Sequence, residues 1–142
     1  MADEKQGKYK ILVVDDDTDI LTTITLALEG LGQTILVARD GLEAVDVAAA
    51  QDPDIIVLDL MLPKRGGFLI LQRLKGKQDM RGKRPLICMM TGNTGELHKT
   101  FAERLGVDDY LRKPFPMGKL VDIVKGFIAK LDTAAADAGG GE

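Results

Sequence analysis

Four apolar runs of the chain end on residues able to do chemistry. Ile11-Leu12-Val13-Val14 runs into Asp15-Asp16-Asp17, and Ile55-Ile56-Val57-Leu58 runs into Asp59. Leu86 to Met90 is followed by Thr91, and Asp109 to Leu111 by Arg112-Lys113-Pro114. If these runs are neighbouring parallel strands, their ends bring carboxylates, a hydroxyl and an ammonium to one sheet edge, where open α/β sheets bind ligands. At an effective dielectric of about 20, one pair of like charges ~4 Å apart costs on the order of 4 kcal/mol. A divalent cation relieves that cost, and an oxygen-only ligand set with room for water suits Mg2+. A carboxylate beside Mg2+ and a lysine can attack a phosphoryl group and become an aspartyl phosphate. The metal and Lys113 would stabilise the transferring oxygens, and the Thr91 hydroxyl would donate to one of them. Such a phosphoryl-transfer site is complete without histidine or serine.

The elements that must position these groups are legible in the apolar patterning. Short, continuously apolar runs at 11–14, 34–38, 55–58, 86–90 and 109–111 read as strands buried on both faces. Between them, Ile20, Ile24, Leu28 and Leu31 recur at helical spacing, with Asp17 or Thr18 available as N-cap and Gly30 and Gly32 to end the helix. Gly41 to Ala50 reads as an alanine-rich helix closed by Asp52-Pro53. Phe68, Leu71 and Leu74 mark a third helix and Leu97, Phe101 and Leu105 a fourth. Leu120, Val121, Val124, Phe127, Ile128 and Leu131 hold one face of a fifth. The alternation predicts an α/β domain, a parallel sheet covered by helices on both faces. Residues 132–142 (DTAAADAGGGE) carry no large apolar group and are expected to be a flexible tail or the start of a linker.

Over residues 8–131 the chain resembles a response-regulator receiver domain of two-component signalling. The segments that carry the resemblance are ILVVDDD, IIVLDLMLP, MMTG and DDYLRKPF, in the family's order and spacing. The resemblance implies a doubly wound, flavodoxin-like five-stranded sheet of order 2-1-3-4-5 flanked by five helices. It implies Asp59 as phosphoacceptor and Asp16 as direct Mg2+ ligand. Asp15 would bind the metal mainly through water, and Met61 would lend its backbone carbonyl. It also implies Thr91 and Tyr110 as a switch pair, Lys113 as the site lysine, and a cis Lys113-Pro114 bond, X-Pro being where cis is cheap. The expected donor is a histidine kinase or phosphotransfer protein. The expected readout is a downstream protein or output domain, bound to the face of the fourth helix, fifth strand and fifth helix, with His98, Lys99, Tyr110 and Lys119; the family pattern also allows a homodimer on phosphorylation. On this reading the protein is a signalling switch that catalyses its own phosphorylation and dephosphorylation. Gly92, Gly66 and Thr18 depart from the family's common residues without removing a chemical group.

Other readings compete at each position. Acids after a strand are often only N-caps, and Thr91 could be a turn residue. Tyr110 could be an ordinary half-buried tyrosine and Lys113 a solvated lysine. Their agreement in register favours the site. Cys88, Met89 and Met90 read as packing, and Lys75 to Arg84 as a solvated basic loop. MMTGNTGE resembles the phosphate loop of flavodoxins, but such a loop belongs after the first strand, where DDD would repel phosphate. Asp15-Asp16-Asp17-Thr18-Asp19 resembles the haloacid dehalogenase motif with its threonine one position early. A receiver-like adaptor that signals without phosphate is the alternative function, against which the full acidic set speaks.

Composition bounds the remainder. The 142 residues are 45% hydrophobic and 29% charged, suited to one soluble domain. With no serine and one histidine, serine hydrolases and multi-histidine metal sites are excluded. No tryptophan, 4% aromatics and a net charge of −3 argue against direct nucleic-acid binding. No run suits a membrane span, the first ten residues lack an apolar signal region, and the lone Cys88 fits a reducing compartment, so a cytoplasmic location is expected. Too few residues follow position 131 for a DNA-binding domain, which leaves a single-domain regulator or a piece of a longer protein.

Overall fold

The computed structural model describes residues 7–59, 66–76, 85–92 and 106–140. Its strands are β1 (Lys10–Val14), β2 (Thr34–Ala38), β3 (Ile55–Asp59), β4 (Leu86–Thr91) and β5 (Asp109–Arg112). Its helices are α1 (Thr18–Glu29), α2 (Gly41–Gln51), α3 (Gly66–Gly76) and α4 (Met117–Gly140). The sheet is fully parallel in the order β2-β1-β3-β4-β5, as expected. Five helices were expected; four lie among the described residues, and the one predicted around Leu97, Phe101 and Leu105 falls outside them.

The strands separate two apolar layers because successive side chains point to opposite faces. Ile11, Val13, Ile55 and Val57 pack with Ile24 and Leu28 of α1 and Leu120, Val124 and Phe127 of α4. Leu12, Val14, Ile56 and Leu58 pack with Ala44 of α2 and Leu71 and Leu74 of α3. Side chains of this size each contribute about 1.5–3 kcal/mol when fully buried. β1 and β3 are therefore the most strongly fixed elements, and they carry Asp15 and Asp59 at their carboxyl ends.

Turn chemistry sets the helix boundaries. Asp17 has extended backbone angles, and its carboxylate accepts from the N–H groups of Asp19 and Ile20, making it the N-cap of α1. Asp40 caps α2 by accepting from Glu43 N, while Glu43 accepts from Arg39 N in return. After α1 the chain turns at Gly32, whose φ of +78° is costly for a residue with a Cβ.

The last helix continues through residues 132–140, within the segment expected to be a flexible tail or the start of a linker. Lack of large apolar groups argued against packing, but Ala134-Ala135-Ala136 has high helix propensity and extends a helix already nucleated on the core.

Candidate functional site: an acidic pocket at the carboxyl edge of the sheet

β1, β3 and β4 end at the same level, because Val14 pairs with Leu58 and Asp59 pairs with Met90. Asp15 therefore emerges beside Asp59, and Thr91 stands one position beyond Asp59's partner. Asp15 and Asp59 are buried and Asp16 is exposed, and one carboxylate oxygen of each lies within 4.8 Å of those of the other two. Lys113 reaches in from the end of β5. Its Nζ is 2.9 Å from Asp15 Oδ2 and 3.3 Å from Asp59 Oδ2.

The backbone fixes these groups before any ligand arrives. Asp15 N donates to Ala38 O (3.1 Å), tying the start of the acidic run to β2. Asp15 Oδ1 accepts from Asp17 N (2.9 Å), leaving Oδ2 for Lys113. Lys113 N donates to Thr91 O (2.7 Å), so the lysine and the threonine are clipped together where β4 and β5 end. The Lys113-Pro114 bond is cis, as expected. Thr91 is buried and Tyr110 half-buried, packing against Met89 on β4. Met61, the expected backbone ligand, and His98 and Lys99 lie outside the described residues.

Electrostatics supports a cation site. Burial alone would make Lys113 easier to deprotonate. The hydrogen bond to Asp15 and the charges of Asp59 and Asp15 outweigh that effect and hold the ammonium above its ordinary range. One lysine against three carboxylates leaves two negative charges uncompensated. The ligand set is oxygen-only and open to water on the Asp16 side. A hard divalent cation such as Mg2+ fits it, and a soft metal does not.

Other acids serve the backbone. Asp54 Oδ2 accepts from Lys10 N (2.9 Å) and Asp108 Oδ2 from Ile87 N (2.8 Å), both at the opposite end of the sheet. Asp54 is buried and Asp108 half-buried, each in an ordinary structural role, unlike the cluster at the carboxyl edge.

A family model described as the response regulator receiver domain matches residues 11–125. The chain belongs to the response-regulator receiver family. The receiver is 38% identical over 126 residues to the alkaline phosphatase synthesis transcriptional regulatory protein PhoP of Bacillus subtilis (strain 168). That match takes in 89% of this chain and 51% of PhoP, so the receiver spans about half the length of this curated relative. Among solved structures, the Francisella response regulator 1452 receiver domain is 29% identical with a TM-score of 0.77, over 87% of this chain and 99% of that one. The chemotaxis protein CheY4 of Vibrio cholerae is 26% identical with a TM-score of 0.75, over 85% of this chain and 99% of that one. Receivers of this family work in two-component signalling, and phosphorelay and Mg2+ dependence are typical of them. Among the described residues no helix is long and apolar enough to cross a membrane.

The receiver also holds a cluster that sequence reasoning missed. Tyr9 Oη donates to Asp132 Oδ1 (2.6 Å) and Lys8 Nζ lies 3.3 Å from the same oxygen. Nothing in residue type or spacing announces a contact across 123 positions.

Proposed function

We propose that residues 8–131 form a phosphoryl-accepting switch and that Asp59 is the acceptor, with residues 132–142 leading into a linker. The supporting observation is the placement of a buried carboxylate, Asp59, within reach of two further carboxylates and one ammonium. The partner is a histidine kinase or phosphotransfer protein carrying a phosphohistidine. An Asp59 carboxylate oxygen attacks phosphorus, the phosphorus–nitrogen bond breaks, and its electron pair returns to the imidazole nitrogen, which leaves as neutral imidazole when the other ring nitrogen already carries a proton. The product is a mixed anhydride on Asp59, and attack by water on phosphorus regenerates the carboxylate.

Asp15, Asp16 and Asp59 would hold Mg2+, with the Met61 carbonyl as a further ligand from outside the described residues. When bound, the cation supplies positive charge for the phosphoryl oxygens and cancels the excess of carboxylates. Lys113 bridges Asp15 and Asp59, offsetting their mutual repulsion, and offers its ammonium to the incoming phosphoryl oxygen. The Thr91 hydroxyl donates to a second oxygen. Phosphorylation adds about 1.5–2 negative charges, which draws Thr91 and Lys113 toward Asp59 and turns Tyr110 inward. The altered face, including Tyr110 and Lys119, then binds a downstream protein, an output domain or a second copy. The bias toward that state equals the phosphate's differential stabilisation of it.

Intact-mass spectrometry after incubation with acetyl phosphate and Mg2+ tests the reading. A labile adduct of ~80 Da is expected in the native chain and is lost in Asp59→Asn. An unmodified parent peak from folded protein, or an adduct that survives Asp59→Asn, overturns it.

A further inference from the structure

The helix α4 outlasts the core that supports it. Among its described side chains, Leu131 is the last packed against the apolar layer, and Thr133 to Ala136 are exposed. Residues 132–140 nevertheless remain helical, about 13 Å of helix beyond that contact. Propagation from the part of the helix nucleated on the core extends it, but the segment's own stability is small. A free stretch so short is marginal in water, it ends on two glycines, and its last turn has no basic side chain to oppose the helix dipole.

Among the described residues, the restraint at the departure point is Asp132. Its carboxylate receives the Tyr9 hydroxyl at 2.6 Å and the Lys8 ammonium at 3.3 Å. Tyr9 is itself immobilised on both sides of its backbone. Its N–H donates to Gln33 Oε1 (3.0 Å) and its carbonyl accepts from Thr34 N (3.1 Å). Gly7 completes the grip, since a Cβ there would collide with the Gln33 side chain. The contact acts on both partners: the Asp132 carboxylate pushes the Tyr9 phenol up to about 12, and the hydroxyl holds the Asp132 carboxyl below its usual range.

We propose that Tyr9 and Lys8 form a clasp on Asp132 that fixes the angle at which α4 leaves the domain and makes residues 132–140 a rigid lever. β1 starts one residue after Tyr9 and ends one residue before Asp15, which Lys113 holds. The same strand thus grips the segment 113–132 at both ends, and the lever is referenced to the sheet that carries the acidic pocket. A segment or partner attached to the lever is held in one orientation. The clasp operates whether or not Asp59 accepts a phosphoryl group.

Hydrogen exchange on the full chain tests this, comparing native protein with Tyr9→Phe, Asp132→Asn and the double variant. Each single variant is expected to speed exchange of the 131–136 amides roughly fivefold, the scale of one lost hydrogen bond, with β1 and β3 amides unchanged. The double variant is expected to be no faster than Asp132→Asn alone, which already removes both partners of the clasp. Unchanged exchange at 131–136, additive effects of the two substitutions, or equal acceleration throughout the sheet each overturns the clasp.

Discussion

The ammonium of Lys113 lies 2.9 Å from Oδ2 of Asp15, a residue 98 positions earlier in the chain and fully buried. The pair is held from both sides by main-chain bonds, Asp15 N to Ala38 O and Lys113 N to Thr91 O. The lysine is thus a fixed countercharge in an otherwise acidic pocket, stationed before any ligand arrives. Fixed charge of this kind stabilises a transition state without reorganising at the moment of reaction.

Lys113→Ala is expected to destabilise the protein by about 2–3 kcal/mol in the absence of divalent cation. Removing one partner of a buried ion pair costs about 3–5 kcal/mol, and the 22% exposure of the lysine side chain tempers that. Millimolar Mg2+ should restore most of the loss, because a cation bound only to the folded state adds to its stability. Urea denaturation with and without Mg2+ reads both effects. A loss that Mg2+ does not repair would mean that Lys113 matters for packing and not for charge.

Asp59→Asn should act in the opposite sense on the metal-free protein. Three carboxylates face one lysine, so neutralising one relieves repulsion among the others. A gain of about 1 kcal/mol is expected, against a lost Lys113 contact of comparable kind. The stabilisation that Mg2+ gives the native protein should shrink together with it. Thermal denaturation across a Mg2+ titration measures both, and an equal Mg2+ response in the two proteins would remove Asp59 from the cation site.

Asp16 and Asp17 are adjacent and of one type, but the structure separates their roles. Asp17→Ala removes the cap that serves Asp19 N and Ile20 N, and should cost about 1 kcal/mol of stability while leaving Mg2+ affinity nearly unchanged. Asp16→Ala removes an exposed carboxylate of the cluster and should weaken Mg2+ binding with little effect on folding. Isothermal titration with Mg2+ beside urea melts separates the two. The reverse pattern would exchange their assignments.

The legible part of the fold lies where burial is total. β1, β3 and β4 are continuously apolar because both faces are covered, and each apolar run stops at the carboxyl edge of the sheet, so the positions of Asp15, Asp59 and Thr91 at that edge were legible from sequence. Within Asp15-Asp16-Asp17 the division of labour was less legible, since all three carry the same carboxylate and the backbone decides that the one on Asp17 accepts from Asp19 N and Ile20 N. The extension of α4 was hidden for another reason. Burial and propensity disagree over residues 132–140, and an apolar pattern reports only the first. The Tyr9–Asp132 contact joins two residues whose neighbours carry no shared period, so only the packed chain brings them together.

That contact should be visible in alkaline titration. Tyr9 is raised from 10.0 to about 12, first by its hydrogen bond to Asp132, then by burial and by the charges of Asp132 and Asp54. A proton held more tightly in the folded state stabilises that state fully below the unfolded value and ceases to do so as pH rises through the folded one. The Tyr9 contribution therefore fades between about 10 and about 12. Asp132 is lowered, first by the Tyr9 hydroxyl, so its contribution is present above the ordinary carboxylate value and fades as pH falls through the lowered one. Phenolate absorbance should show one of the two tyrosines ionising near 12. Tyr9→Phe should remove that late step, and Asp132→Asn should return it toward 10 by deleting its main cause. A late step that persists in Tyr9→Phe would belong to the other tyrosine and would leave the Asp132 carboxylate without the partner assigned to it.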